Sequence, residues 1–191
     1  MELLWADLIN SDWRDHLGKG EREDRIGNDA WLAAFLERAG WRGTRLPGAT
    51  DRDALRRMRE FLAGVVDQVR QGREMSVKDL VRLNRYLAAA PVVRRLDAER
   101  DSAAVLLAPA VTGIDAVLGE VAASFADTMA TGDPTRIKIC ANSDCGWVIY
   151  DQSRNRTRRW CDKTECGNVI KVRRHRQRKR AAKDRSTKRR L

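Results

Sequence analysis

The stretch CANSDCGWVIYDQSRNRTRRWCDKTECG, residues 140 to 167, decides the fold of the C-terminal part of the chain. It holds two pairs of cysteines, with four residues inside each pair and fifteen residues between the pairs. All the cysteines of the sequence lie here, at Cys140, Cys145, Cys161 and Cys166. Four thiolates in two chelating pairs match the tetrahedral sulfur coordination of one structural zinc ion per chain.

Each cysteine pair is followed by a glycine, at Gly146 and Gly167. Glycine adopts a positive φ at little cost, which would let backbone amides turn toward the sulfur atoms. The pattern therefore predicts two similar knuckles around one ion. Two disulfides or four free thiols are the alternative. We expect metal, because no export signal opens the chain and a reducing cytosol keeps thiols free for metal ions.

The net charge of +11 is concentrated in the C-terminal part of the chain. Residues 136 to 191 carry 19 lysines and arginines against 5 acidic residues, whereas residues 1 to 135 carry 19 against 22. Such an imbalance predicts a polyanionic partner for the C-terminal part, in practice a nucleic acid. No apolar run approaches the ~18 residues of a membrane span. We expect a cytoplasmic, nucleoid-associated protein with no membrane partner.

Helical periodicity dominates residues 1 to 131. Apolar residues recur at helical spacing in four segments, which begin near residues 29, 50, 77 and 112. Asn28 should cap the first of them, Thr50 to Asp53 resemble a capping box for the second, and Ser76 with Asp79 should cap the third.

The remaining N-terminal segments are shorter. Residues 1 to 16 fit either a short buried strand or the start of a helix, and residues 18 to 28 are typical of an exposed loop. The runs PVVRRL and AAVLLA, between Pro91 and Pro109, predict a hairpin. We therefore expect an α+β fold: a mainly helical domain over residues 1 to 131 with a small β-hairpin, then a zinc ribbon with a basic helix over residues 136 to 191.

Within the ribbon, residues 147 to 150 and 156 to 160 are predicted to form two strands. Arg156 and Arg158 would then share one face, with Arg159 on the other. Arginine binds phosphate or guanine edges with its planar fork. Ser153, Arg154 and Asn155 lie at the predicted turn, where they either donate to phosphate or simply form the turn. Trp147 and Trp160 are predicted to pack over the metal site.

Residues 167 to 191 contain no proline and can form a helix. Val169, Ile170 and Val172 would dock its start on the ribbon. The basic residues are spread around the whole helix, which suits the phosphate-lined major groove, although a solvated tail is the alternative. They are Arg173, Arg174, Arg176, Arg178, Lys179 and Arg180.

Residues 140 to 174 resemble the CGNR zinc-finger family of bacterial proteins. The likeness rests on Ser-Arg-Asn at 153–155, Arg-Arg-Trp-Cys at 158–161 and Cys-Gly-Asn at 166–168. It implies a role for Asn168, whereas Val169 stands where the family has an arginine. Lys171 or Arg173 would have to supply the missing charge.

The first 130 residues are similar to the ABATE domain, which often precedes this finger. The likeness is carried by Leu8-Ile9-Asn10-Ser11 and by the order of helices and strands. It implies a stress-induced transcription regulator. The N-terminal domain would sense a small-molecule effector, form a homodimer or contact other proteins. The candidate residues of such a ligand pocket are Asn10, Trp13, Trp31 and Trp41. The three tryptophans belong to the core as the alternative.

Two classes of function, both involving nucleic acid, are consistent with these features. A zinc-dependent DNA-binding regulator is the leading hypothesis, and an RNA-binding or ribosome-associated protein is the alternative. The basic tail has no aromatic residue on which an RNA base can stack, which favours duplex DNA. We expect no enzymatic activity, because the chain has only two histidines, no cysteine to spare and no phosphate-binding glycine loop.

Overall fold

The computed structural model describes residues 3–41, 43, 45–97 and 104–188. Its strands form three antiparallel pairs, β1 with β2, β3 with β4, and β5 with β6. This architecture confirms the predicted α+β class. The elements are α1 (Leu4–Ile9), β1 (Asp12–Arg14), β2 (Arg22–Asp24), α2 (Asp29–Arg38), α3 (Ala49–Arg70), α4 (Val77–Ala89), β3 (Val92–Asp97), β4 (Ala104–Pro109), α5 (Ile114–Ala130), β5 (Ile137–Ile139), β6 (Val148–Tyr150) and α6 (Cys166–Lys188).

Helix α1 lies in the centre of the hydrophobic core although it has only six residues. A helix this short is not stable alone in water, so packing must hold it. Its Trp5 is wholly buried, meets the ring of Phe125 edge-on with centroids 5.4 Å apart, and donates from Nε1 to Thr128 Oγ1 at 2.9 Å. Helices α3 and α5 both contact α1 and cover it.

Two of the predicted helix caps are confirmed. The side chain of Asn28 accepts from the backbone of Ala30 and Trp31 at the start of α2. Ser76 and Asp79 form a reciprocal capping box at α4. The cap predicted for α3 is wrong: the helix begins at Ala49, after Gly48, without a side-chain cap.

Residues 3 to 28 contain more regular structure than expected. Residues 1 and 2 lie outside the described residues, and the rest of the segment up to residue 16 contains both α1 and β1, so the two alternatives both occur in part. The predicted loop 18–28 contains strand β2, which pairs with β1. The turn between them forms because the Asp15 carboxylate accepts from the backbone of Leu17 and Lys19, and Gly18 adopts a φ of +84°.

The zinc ribbon does not have the predicted pair of strands. Strand β6 pairs with β5, and residues 156 to 160 form no strand. The chain turns away after β6 because the buried Asp151 carboxylate accepts from the backbone of Ser153 and Arg158, which closes a compact loop. Arg156 has a φ of +52° within it, so Arg156 and Arg158 do not share a strand face.

The β5–β6 hairpin and the N-terminal helices share one core. Ile137 and Val148 are buried in the same cluster as Trp5 and the apolar face of α3. Asn10 strengthens this junction, because its side chain donates to Val148 O at 2.9 Å and accepts from Val148 N at 2.8 Å. None of the described helices is long and apolar enough to cross a membrane.

Candidate metal centre

The four cysteine sulfur atoms all lie within 4.8 Å of one another. Cys161 Sγ is 3.6 Å from Cys145 Sγ and 3.5 Å from Cys166 Sγ. Zinc–sulfur bonds of about 2.3 Å in a tetrahedron require sulfur atoms roughly 3.8 Å apart. The spacing and the soft donor set therefore fit one structural zinc ion, with no position left for a catalytic water. All four cysteines are free, which is contrary to the disulfide alternative.

The first cysteine pair lies in the turn between β5 and β6. Cys140 N donates to Trp147 O at 2.8 Å, which continues the β5–β6 ladder to the first ligand. Gly146 has a φ of +69°, as the Cys-Gly pattern predicts. The chain thus bends sharply around the Cys145 sulfur and returns into β6.

The second pair is built differently. Cys161 lies in a loop and Cys166 is the first residue of α6. Gly167 is helical and lacks a positive φ, so the prediction of two similar knuckles is wrong. Its role is instead to lie beside the ring of Trp160. Trp147 and Trp160 both pack against the cysteine cluster, as expected.

Mutual contacts and burial shift the pKa values of three of the cysteine thiols in different directions. The contact with the Cys161 sulfur lowers the pKa of Cys145 to about 6. The same contact raises the pKa of Cys161, and burial raises that of Cys166 to about 12. A zinc ion would supply the positive charge that four adjacent thiolates need, so its affinity must fall when acid protonates them.

Asn142 supports the metal centre and was not recognised from the sequence. Its side chain is wholly buried, and Nδ2 lies 3.6 Å from Cys166 Sγ and 2.8 Å from His16 O. The amide thus orients one ligand and ties the first knuckle to the β1–β2 turn. Its position inside the Cys140–Cys145 pair was the available signal.

We expect Asn142→Ala to weaken zinc binding by about 10–100-fold, because it removes a donor to a ligand sulfur and leaves His16 O unpaired. Competition with a chromophoric chelator measures this affinity. Ser143→Ala, at the exposed neighbouring position, is the matched control. Equal affinities in the two variants would mean that Asn142 does not support the ligand.

Asp151 organises the loop that carries Cys161. Its carboxylate accepts from Lys138 Nζ at 2.6 Å and from Ser153 Oγ at 2.5 Å. Burial opposes ionisation, but these bonds and those from the backbone N–H groups of Ser153 and Arg158 outweigh it and hold the pKa of Asp151 well below its usual range. The Ser153 hydroxyl therefore donates to Asp151 within the loop.

The depressed pKa of Asp151 predicts a pH-dependent stability. Its contribution is complete above the unfolded pKa of about 4 and is lost as the pH falls from there toward the folded pKa. Asp151→Asn should lower the free energy of unfolding at pH 7, and its deficit relative to the parent should shrink as the pH falls below about 4. Urea titrations of both proteins measure the deficit. A deficit independent of pH would contradict this assignment.

Three of the arginines predicted to bind nucleic acid form hydrogen bonds or an ion pair within the protein. Arg158 donates to Trp160 O and Cys161 O, and Arg156 pairs with Asp133 at 2.8 Å. Arg173 donates to Asp144 Oδ2 at 2.6 Å and to Leu17 O at 2.8 Å. These contacts hold the loop and α6 in place, and the role of the three arginines in nucleic-acid binding stays a prediction.

The other predicted contact residues are exposed on the zinc finger and α6. Arg159 also lies over the Trp160 ring, 5.6 Å from its centroid. With Val169 half-buried, Lys171 rather than Arg173 is free to supply the charge of the missing arginine. The exposed set is Arg154, Asn155, Arg159, Asn168, Lys171, Arg174, Arg176, Arg178, Lys179 and Arg180.

The predicted ligand pocket is not assembled. Asn10 lines a cavity between α3 and the first knuckle, whereas Trp41 lines a separate one beside the β3–β4 hairpin. Trp31 stacks on Phe35 with ring centroids 5.2 Å apart, and Trp13 lies against Arg25. The four side chains are not brought together because they lie on different parts of the chain: Asn10 follows α1, Trp13 is in β1, Trp31 is in α2 and Trp41 follows α2.

Comparison with known families agrees with this geometry. Residues 136–179 match the CGNR zinc finger. Residues 2–132 match the ABATE family, whose description is "Putative stress-induced transcription regulator". No curated protein matches the chain. Both resemblances drawn from the sequence are thereby confirmed: the chain belongs to the ABATE family and carries a CGNR zinc finger with a four-cysteine site for one structural zinc ion.

Proposed function

We propose that the protein is a DNA-binding transcription regulator of the nucleoid in which the zinc site positions α6 for entry into the major groove. The observation that carries the proposal is the exposure of α6 beyond Arg173. All side chains from residue 174 to 181 are exposed, and five of these eight residues are arginine or lysine. Among the described residues, none of the five forms an ion pair.

The two ends of α6 differ in their contacts with the rest of the protein. Cys166 is a metal ligand, Ile170 is half-buried and Arg173 is anchored, so the first two turns are fixed to the body of the protein. From Arg174 to Lys188 the helix continues for about 22 Å at 1.5 Å per residue. An anchored helix with unneutralised charge on all sides fits the major groove, which admits a helix between two phosphate backbones.

Residues of the zinc finger would contact the flanking phosphates. A groove of about 460 Å³ runs along residues 152 to 164, next to the start of α6. Arg159 and Lys163 line it and are exposed, and Arg154 and Asn155 lie in the adjoining loop. These groups would set the orientation of the protein on the duplex, and α6 would read the bases.

The N-terminal part would regulate binding rather than perform catalysis. A cavity of about 490 Å³ lies between α2, the base of the β3–β4 hairpin and α5, and is large enough for a small organic effector. Trp41, Arg95 and Glu120 line it and offer both apolar and charged contacts.

Selection from random double-stranded DNA at physiological salt, with non-specific RNA as competitor, tests the proposal. We expect a defined sequence motif to be enriched by the zinc-loaded protein and lost after zinc removal. If RNA displaces all of the DNA and no motif emerges, the same basic surface serves RNA instead. Affinity that barely changes with salt would contradict the electrostatic basis of both functions.

A further inference from the structure

The β3–β4 hairpin has an apolar face that no described residue covers. In its register Leu96 lies opposite Val105, Arg94 opposite Leu107 and Val92 opposite Pro109. Residues directly opposite in an antiparallel pair share a face, so these six occupy one side of the hairpin. The exposed fractions are 73% for Leu96, 65% for Val105, 68% for Leu107 and 51% for Val92.

This face is large for an uncovered surface. The four apolar side chains expose roughly 400 Å² per chain, about half of the 800 Å² that one partner contributes to a stable protein interface. A two-stranded hairpin on its own is marginally stable in water. Pairing with a further strand would add the ladder hydrogen bonds and the lateral side-chain contacts that a two-stranded hairpin lacks.

The two outer edges of the hairpin differ in charge. Strand β3 presents Arg94 and Arg95, whereas β4, with sequence AVLLAP, has no charged residue along its length. The β3–β4 sheet has only these two strands, so β4 leaves its outer backbone N–H and C=O groups unpaired by any described strand. An uncharged, apolar edge strand is a template for a further strand, because charges are what natural edges use against such pairing.

We propose that β4 pairs antiparallel with β4 of a second copy of this chain, which joins the two hairpins into one four-stranded sheet. A two-fold axis at Leu106 places Val105 of each copy opposite Leu107 of the other, on the face that also carries Val92 and Leu96. Pro109 has no backbone N–H and ends the pairing. The contact is isologous, as in most homodimers.

A second copy fits this edge better than an unrelated strand does. A two-fold β4 pair matches apolar residues with apolar residues along its length and keeps the arginines of β3 on the outer strands. Pairing through β3 would instead set Arg94 and Arg95 against their own copies, which is unfavourable. Such a dimer forms without nucleic acid, so its presence or absence is independent of the proposed DNA binding.

Sedimentation equilibrium of the zinc-loaded full chain, without DNA, tests the pairing. We expect a dimer at micromolar concentration. Leu107→Lys should raise the dissociation constant of the dimer at least about 100-fold. Each lysine would lie opposite Val105 of the other copy and replace an apolar contact with a charge. Val77→Lys is the matched control, since Val77 is 75% exposed on α4, outside the hairpin. Zinc content and helicity should be unchanged in both variants.

A cross-link identifies the strand that pairs. Leu106→Cys places two thiols opposite each other at the two-fold axis, within the Cα separation that a disulfide requires. We expect mild oxidation of the zinc-loaded variant to give a covalent dimer through residue 106. A parent chain that remains monomeric at 100 μM, or a dimer that Leu107→Lys leaves intact, would overturn the proposal.

Discussion

Cys161→Ser should abolish stoichiometric zinc binding and unfold the metal loop. Structural zinc contributes about 10–16 kcal/mol in isolated zinc fingers at pH 7, and most of that free energy depends on the complete ligand set. Cys161 is the ligand that joins the two halves of the site, since its sulfur lies within 3.6 Å of those of Cys145 and Cys166. Zinc content per chain and amide exchange across residues 137 to 166 measure the effect.

The N-terminal helices should survive this substitution, because Trp5 and its neighbours form a core that contains no metal ligand. The start of α6 should not, because Cys166 is its first residue. Lys163→Ser, at an exposed position of the same loop, is the control and should keep one zinc ion. One equivalent of zinc in Cys161→Ser would contradict the four-cysteine assignment.

Replacing Arg176, Arg178 and Arg180 with alanine should weaken DNA binding by about 100-fold or more at physiological salt. The three side chains are exposed and unpaired among the described residues, so their loss removes phosphate contacts without disturbing packing. Each lost phosphate contact should also reduce the slope of log K against log salt by about 0.9. Fluorescence anisotropy over a salt series measures both quantities.

The matched control removes the same charge elsewhere. Arg57, Arg85 and Arg94 are exposed arginines of the N-terminal part, and their replacement with alanine should leave affinity within about threefold. If both triple variants lose affinity equally, net charge rather than α6 drives the interaction. If neither does, α6 is not the binding element.

Features encoded locally were predictable from the sequence. The four ligands follow from cysteine spacing, and the caps at Asn28 and Ser76 act on backbone groups within three residues. The β3–β4 hairpin is encoded by two adjacent apolar runs. Each of these depends on neighbours in the chain, which sequence patterns describe well.

Long-range polar contacts were not predictable. The partner of Asn142 lies 126 residues away, and that of Asn10 lies 138 residues away. The pattern RTRRW suits a strand, yet Asp151 closes a loop that takes Arg158 into backbone bonds beside Cys161. Arginines that bind nucleic acid and arginines that hold a loop look alike in sequence, and only their acceptors distinguish them.

The hydrogen bonds that join the metal centre to the β1–β2 turn have a thermodynamic consequence. Asn142 reaches His16 O and Arg173 reaches Leu17 O, so the β1–β2 turn is ordered together with the zinc site and the start of α6. Free-energy linkage is reciprocal. A ligand that binds the ordered form of this turn must therefore increase the affinity for zinc. Zinc must increase the affinity for that ligand by the same factor. The zinc concentration in the cell would then itself regulate how tightly the protein binds such a ligand.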